Sequence, residues 1–470
     1  MKDKIVFINP PIVKSELWGS LKGGASTLPP LGIATLAAIA RENGYGVSVF
    51  DFLALETPLD EAVNAVLAAK PRWAGITATT EMIGPAVSMA RELKKRAPGM
   101  TILIGGPHIS AAPEETMKRY GEFDVAFIGE SEKTLPEYLD CASGGRDISG
   151  VKGIMIRSEE GLRYTGKRDF VAAMDEVPFP AWDLLPDITK HYQPAVTNYK
   201  RLPYTSLVTS RGCPGQCIFC DRSVFGNRVR AFSAEYIIKM IKTLMKDYGV
   251  REVCFYDDNF LLLKDRLKKF CRLLKEEKLD LIWSCSARID TVDKKTLDLI
   301  RKAGCWQIGY GIESGSDDIL KLMKKNITVN RISDIIGASK EAGLLIRGYF
   351  ILGNPGETRE SLKATLGLMK KLPLDDLLVE YMTPYPGCEL YDDIEKYGSG
   401  TREWDRLNTF SVNFVPKGVT EKELKDTFTS AYRDFYLKPR TIWSYMTRFR
   451  NPFKLVKLSV LFVQFLFKKG

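Results

Sequence analysis

Twice along this chain, short apolar runs of strand length alternate with stretches of helical period, and nothing else in the sequence constrains the fold as much. In the first 140 residues, runs at 4–9 (KIVFIN), 46–50 (GVSVF), 73–77 (WAGIT), 101–105 (TILIG) and 123–128 (FDVAFI) have the length and β-branched content of buried strands. Helical patterns lie between them, over 30–43, 59–69, 82–96 and 113–119. A parallel crossover needs a connection long enough to hold a helix, so this alternation predicts an α/β unit: a doubly wound, Rossmann-like parallel sheet covered on both faces. Its ligand crevice is expected beyond the carboxyl ends of the strands. Those ends read NPP (9–11), DFLALE (51–56), TATTEM (77–82), GGPHIS (105–110) and GESE (129–132), several of them rich in residues that permit close backbone approach.

A hairpin-like stretch (151–166) and the proline-rich DEVPFPAWDLLP (175–186) read as a boundary. A second alternation follows, with strands near 205–209, 252–256, 281–286, 305–310, 345–352 and 377–382 and helices near 233–248, 263–277, 293–303, 329–342 and 358–371. Six strand–helix units in about 180 residues predict a partial (β/α)6 TIM-like barrel, two units short of a full one. The expected organisation is a first domain over 1–145, a linker over 146–198, a barrel core over 199–390 and a helical C-terminal extension over 391–470 that ends in a basic amphipathic tail.

The loop after the first barrel strand, SRGCPGQCIFCDRSVFG (210–226), packs Cys213, Cys217 and Cys220 into eight positions. A structural zinc site normally takes four ligands. The chain's two histidines, His108 and His191, are both distant in sequence, so a zinc knuckle is a ligand short. Three thiolates do hold a [4Fe–4S] cluster by three irons and leave the fourth open. Gly212, Pro214 and Gly215 suit a loop that wraps such a cluster, and Phe219 can shield one side. Active sites of barrel folds lie at the strand carboxyl ends, where this loop stands.

RGCPGQCIFC resembles the C-x3-C-x2-C signature of the radical S-adenosylmethionine (SAM) family. The resemblance implies a SAM molecule on the open iron and later strand ends that hold it. Asp257 and Asp258 in YDDNF (256–260) match polar contacts to the SAM amino group, and Arg288 in ARID (287–290) is a cation suited to its carboxylate. Glu313 and Ser314 in YGIESG (310–315) match ribose or methionine contacts, and Gly353 in GYFILGNPGET (348–358) matches the adenine-side turn. The N-terminal unit resembles the cobalamin-binding domain of the B12-dependent branch, in particular the group named after the anaerobic magnesium-protoporphyrin monomethyl ester cyclase. AYRDFYLKPR (431–440) resembles that group's C-terminal extension. Thr77, Thr79, Gly105, Gly106 and Gly129 would then cradle cobalamin. Many cobalamin proteins carry an Asp-x-His-x-x-Gly loop after the second strand, whereas this chain reads DFLALETP (51–58) without a histidine. His108 is placed either facing the pocket or in a helix-entry or core role, and Tyr381, Tyr385 and Cys388 either on the substrate side of the barrel or in packing.

The expected enzyme is thus a radical SAM methyltransferase or oxidative cyclase acting on a small molecule, served by a reductant such as flavodoxin or ferredoxin. Two alternatives stand beside it. One is a radical SAM enzyme whose first domain no longer binds cobalamin; the other is a zinc- or cluster-stabilised binding protein at a membrane or on RNA. Nine cysteines scattered through apolar runs argue for a reducing cytosol. The start MKDKIVFINPP reads as a strand, not a signal peptide. Much of the +10 net charge sits in 437–470, a segment with Lys and Arg but no Asp or Glu, so nucleic acid is not the expected partner. The apolar run 455–467, interrupted by Lys457, is too short to span a bilayer. With Trp443, Phe449, Phe453 and Phe462 it suits either an interfacial helix at the inner face of the membrane or a helix packed on the protein itself.

Overall fold

The computed structural model describes residues 2–12 and 26–448. Strands β1 (Lys2–Asn9), β2 (Tyr45–Asp51), β3 (Trp73–Thr77), β4 (Thr101–Gly105) and β5 (Val125–Phe127) pair in parallel in the order β2-β1-β3-β4-β5. The strand order reverses beside β1, where the chain moves outward to β2 and then back to β3, and a ligand crevice opens at such a switch point. The expected hairpin, β6 (Ile154–Ser158) and β7 (Gly161–Tyr164), extends the same sheet in antiparallel fashion beyond β5. Part of the stretch expected as linker therefore belongs to the first sheet.

The proline-rich boundary is packed tightly. Ala181 N–H donates to the Ala34 carbonyl of the helix Leu31–Glu42 at 3.0 Å, and Phe179 lies edge-on to Tyr236 of the helix Ala234–Tyr248, with centroids 4.9 Å apart. The first domain and the barrel thus share one continuous apolar core through Val177, Ala181 and Trp182.

In the second unit, β8 (Tyr204–Leu207) is followed by a two-residue ladder of β9 (Ser210–Arg211) with β10 (Arg230–Ala231). Strands β11 (Glu252–Phe255), β12 (Ile282–Ala287), β13 (Cys305–Glu313), β14 (Leu345–Leu352) and β15 (Asp376–Tyr381) complete a six-stranded parallel sheet in sequential order, a partial barrel. Alternate residues serve opposite faces. Phe255, Trp283, Ile308, Tyr310 and Phe350 pack against the helices. The other face is polar: Tyr349 lies against Ser286, and Cys254 against Ser284 and Tyr204.

The C-terminal extension is helical at Glu421–Tyr436 and Pro439–Arg448, after a short ladder of β16 (Gly398–Gly400) with β17 (Phe414–Pro416). It returns to both domains. Phe428 stacks on Tyr381 of the barrel, while Trp404, fully buried, reaches the first domain and meets the His108 ring at 4.4 Å. The tail residues 455–467, with Phe449, Phe453 and Phe462, lie outside the described residues. Among the described residues no helix is long and apolar enough to cross a membrane.

His108 takes the core role. Its two ring nitrogens lie 3.1 Å from the hydroxyls of Thr80 and Thr116, and burial, with the Arg119 cation adding to it, pushes its pKa down to about 4. A folded-state pKa below the unfolded value of about 6.5 gives stability that is present above pH 6.5 and lost as pH falls towards 4. His108→Gln is expected to reduce the stability lost between pH 7 and 4.5 by about 2.5 kcal/mol, read as the difference between the two proteins' urea-unfolding curves. Parallel losses in both proteins would contradict a neutral imidazole in this core.

Candidate functional site

The three cysteines stand at the open end of the partial barrel, on the loop leaving β9. Gly212 has φ +85°, and a Cβ there would lie 2.4 Å from the Arg228 carbonyl oxygen, so the entry to the loop requires glycine. The hydrogen bond between their thiols pushes Cys217 and Cys220 apart, Cys217 down and Cys220 up. The Cys217 pKa falls to about 6, first because the Cys220 thiol donates to it and then through the Lys325 and Arg288 cations. Arg288 Nη1 approaches Cys217 Sγ at 3.4 Å, while its fork is held by Asp290 at 2.9 and 3.0 Å and by the Lys325 carbonyl at 2.8 Å. Buried Lys325 pairs with Glu313 at 2.6 Å and lies 5.9 Å from the Phe219 ring centroid. A loop of three thiols beside two cations, with a thiolate favoured at Cys217, fits a cluster held by three cysteines. Among the described residues no three His, Cys, Asp or Glu side chains are grouped as for a single metal ion.

The other strand-end residues fall into two groups. Asp258 and Tyr256 are exposed at the barrel mouth, where desolvation by the surrounding protein, with the Asp257 charge adding to it, raises the Asp258 carboxyl above its usual range. Arg288 is half-buried beside Cys217, and Glu313 is buried against Lys325. Asp257 is buried too. Its carboxylate accepts from Thr209 N–H at 2.6 Å, Thr209 Oγ1 at 2.7 Å and Ser210 Oγ at 2.6 Å, so it fixes the backbone just before the cysteine loop. Ser314 is also buried, 3.3 Å from the Thr365 hydroxyl of the helix Arg359–Lys371. Gly353 (φ +85°) opens a turn held by Glu357, whose carboxylate accepts from Gly353 N–H at 2.6 Å and Asn354 N–H at 2.9 Å; burial lifts that carboxyl to about 7.

A cavity of about 550 Å³ lies at the carboxyl ends of the first sheet. All five residues expected there, Thr77, Thr79, Gly105, Gly106 and Gly129, line it. A Cβ on Gly106 (φ +104°) would meet the Ala78 carbonyl oxygen at 2.8 Å, so close backbone packing shapes this wall. In the DFLALETP loop the wall is Leu53, while Asp51 is buried and accepts from Asn9 Nδ2 and Tyr192 Oη, each at 2.8 Å. The cavity's size, its glycine-lined strand ends and its apolar wall fit a large planar cofactor with an amide-rich rim.

Arg211 and Phe225, which flank the cysteines, line the same cavity. The link is Glu130 at the end of β5. It accepts from Val171 N–H at 2.8 Å, from Arg230 at 2.7 and 2.8 Å and from Arg211 at 3.1 Å. A second link runs from Tyr385 Oη to Glu81 Oε1 at 2.5 Å, and Glu81 also lines the cavity. Tyr381 and Cys388 are buried in packing instead. The sequence reading missed the pairing of Glu130 with Arg211 and Arg230, and missed Lys325. Lys325 stands in MKKN (323–326), where composition does not separate a buried lysine from its solvated neighbour.

Residues 207–369 match the model of the radical SAM superfamily, and residues 24–139 that of the B12 binding domain. An uncharacterised methyltransferase of Pyrococcus horikoshii is 34% identical over 421 residues, covering 89% of this chain and 90% of that protein. The anaerobic magnesium-protoporphyrin IX monomethyl ester cyclase of Rubrivivax gelatinosus is 25% identical over 424 residues, covering 88% and 74%. The solved structure of the radical SAM methyltransferase TsrM from Kitasatospora setae, with cobalamin and a [4Fe–4S] cluster bound, has a TM-score of 0.71 at 15% identity over 94% of this chain and 90% of that one. That likeness shows a shared fold.

Proposed function

Since the chain belongs to the radical SAM superfamily and carries a B12-binding domain, we propose that it methylates or oxidatively cyclises an unactivated carbon of a small molecule, of tetrapyrrole, lipid or natural-product type. The observation that carries this reading is one cavity walled both by the glycine-rich ends of the first sheet and by the residues flanking the cysteine loop. Two cofactors and a substrate can meet only if the two domains open onto a common space.

In this reading Cys213, Cys217 and Cys220 hold the cluster, and Arg288 and Lys325 offset the charge of their thiolates. Arg288, with Nε and Nη2 held by Asp290 and the Lys325 carbonyl, turns Nη1 towards the cysteines and the SAM carboxylate, Asp258 accepts from the SAM ammonium group, and Glu313 holds Lys325 beside them. Asp257 holds the backbone at the base of the loop, and Glu357 holds the Gly353 turn. Thr77, Thr79, Gly105, Gly106 and Gly129 cradle cobalamin through backbone and hydroxyl hydrogen bonds, with Leu53 where other cobalamin proteins place a histidine. When bound, the cluster and SAM supply a radical that removes hydrogen from carbon, and cobalamin supplies methyl transfer. The apolar walls, Phe7, Ile33 and Phe127 among them, keep water from the cavity. Leu437, Ile442, Trp443 and Met446 are exposed where the chain leaves the barrel, which supports contact of the basic C-terminal tail with a lipid surface.

The test is anaerobic reconstitution. The protein is expected to take up about four irons per chain, cleave SAM when reduced and bind cobalamin stoichiometrically. Mass spectrometry of metabolites with and without the enzyme should then show a gain of one methyl or a loss of hydrogens. Zinc without iron would overturn the reading. Cluster formation and SAM cleavage without cobalamin binding would leave the cobalamin-independent alternative.

A further inference from the structure

Radical SAM enzymes need a reductant, and the surface offers a place for one to dock. A groove of about 770 Å³ lies on the outer side of the cysteine loop, in the seam between the two domains. Its floor includes Pro214 and Gln216, both exposed, which separate Cys213 from Cys217. Lys324 lines this groove, whereas its neighbour Lys325 is buried against Glu313. The two neighbouring lysines thus divide between the groove and the buried pair with Glu313.

The charges around the groove are unbalanced. Glu130 is neutralised by Arg211 and Arg230, Arg168 by Glu137, and Lys324 by Glu389. Lys167, Arg222 and Arg228 are left without a carboxylate partner among the described residues, against one unpaired carboxylate in the groove lining, Asp169. Arg222 donates to the Gly215 carbonyl, so its charge is fixed onto the cysteine loop itself. Unpaired cations around an open groove steer an anionic protein and orient it on arrival.

We propose that this groove docks an acidic one-electron carrier protein, a reduced flavin or iron–sulfur protein, against the backbone of the cysteine loop. The inference rests on the radical SAM reading above. In the step it serves, the carrier loses one electron and the bound cluster gains it, with no proton or group transferred. Entry through Pro214 and Gln216 gives the electron a path of a few bonds to the ligating thiolates without passing the substrate cavity.

The experiment uses the reconstituted enzyme and reduced flavodoxin as the acidic probe. Flavodoxin binding to Lys167→Glu/Arg228→Glu is expected to weaken at least about tenfold at low salt and less at high salt. Binding to Lys295→Glu/Lys302→Glu, which carries the same charge change on the distant helix Lys294–Lys302, should stay within about twofold of the parent. SAM cleavage driven by dithionite should be equal in all three proteins, while cleavage driven by flavodoxin falls in the groove variant alone. Equal flavodoxin binding by the parent and the groove variant overturns the docking surface, and so does equal weakening by the distant variant. Absence of dithionite-driven cleavage in the parent would instead strike the radical SAM reading, so the two failures are distinguishable.

Discussion

Cys217→Ala is expected to abolish reductive SAM cleavage, a loss of at least about a thousandfold, and to leave the reconstituted protein with a small fraction of the parent's iron. Two cysteines remain, and two thiolates cannot hold a four-iron cluster against loss. The substitution also leaves Arg288 Nη1 without the sulfur 3.4 Å away and Lys325 with Glu313 alone, so the loop loses a charge pairing as well as a ligand. Cys213→Ala and Cys220→Ala should match it, whereas Cys141→Ala, on the helix Thr134–Ser143, should keep the full iron complement. Iron analysis and the charge-transfer absorbance of the cluster separate these outcomes without any substrate. Four irons retained in Cys217→Ala would overturn the ligand assignment.

What the sequence made legible follows from how local the responsible physics is. Strand period and β-branched content placed β3 and β4 at their observed bounds, 73–77 and 101–105, because buried parallel strands are nearly continuous apolar runs. The cysteine spacing is likewise local, and so are the strand-end glycines that line the cavity. The long-range pairings were not legible. Glu130 meets Arg211 and Arg230 across 81 and 100 residues of chain, and Tyr385 meets Glu81 across 304. Asp257 shows the same limit. Its position after β11 suits a ligand contact, yet its carboxylate is occupied by Thr209 and Ser210, which only the folded backbone brings to it. The proline content of 175–186 suggests a boundary but carries no sign that Phe179 and Trp182 pack into the shared core, another pairing that only the fold shows. His108 likewise could be assigned to the core only once Trp404, nearly 300 residues later, was placed against it.

Glu130→Ala is expected to destabilise the folded chain by about 3–5 kcal/mol, because it removes the shared carboxylate of a buried ion group and leaves the Arg230 guanidinium uncompensated. The Glu130 side chain is 2% exposed, and those of Arg211 and Arg230 are 10% and 13% exposed. Arg211 retains Glu132, but Arg230 keeps no carboxylate among the described residues, only the carbonyls of Val171 and Phe225 and the face of the Phe170 ring. Replacing Glu130 and Arg230 together by apolar residues, Glu130→Leu/Arg230→Met, removes the stranded Arg230 charge as well and should recover a large part of the loss. Denaturant midpoints of the two variants therefore distinguish a charge effect from a packing effect: a double variant as unstable as Glu130→Ala would point to packing. The consequence for chemistry is specific. Arg211 immediately precedes Gly212 and Cys213 and also lines the cavity, so a carboxylate at the end of β5 sets the base of the cysteine loop relative to the glycine-rich strand ends. Glu130→Gln, which keeps the shape and weakens the charge, should leave SAM cleavage without substrate close to the parent's rate while slowing product formation, because the first reaction needs only the barrel and the second needs both domains in register. Equal slowing of both would mean that Glu130 supports the cysteine loop alone and does not couple the two sites.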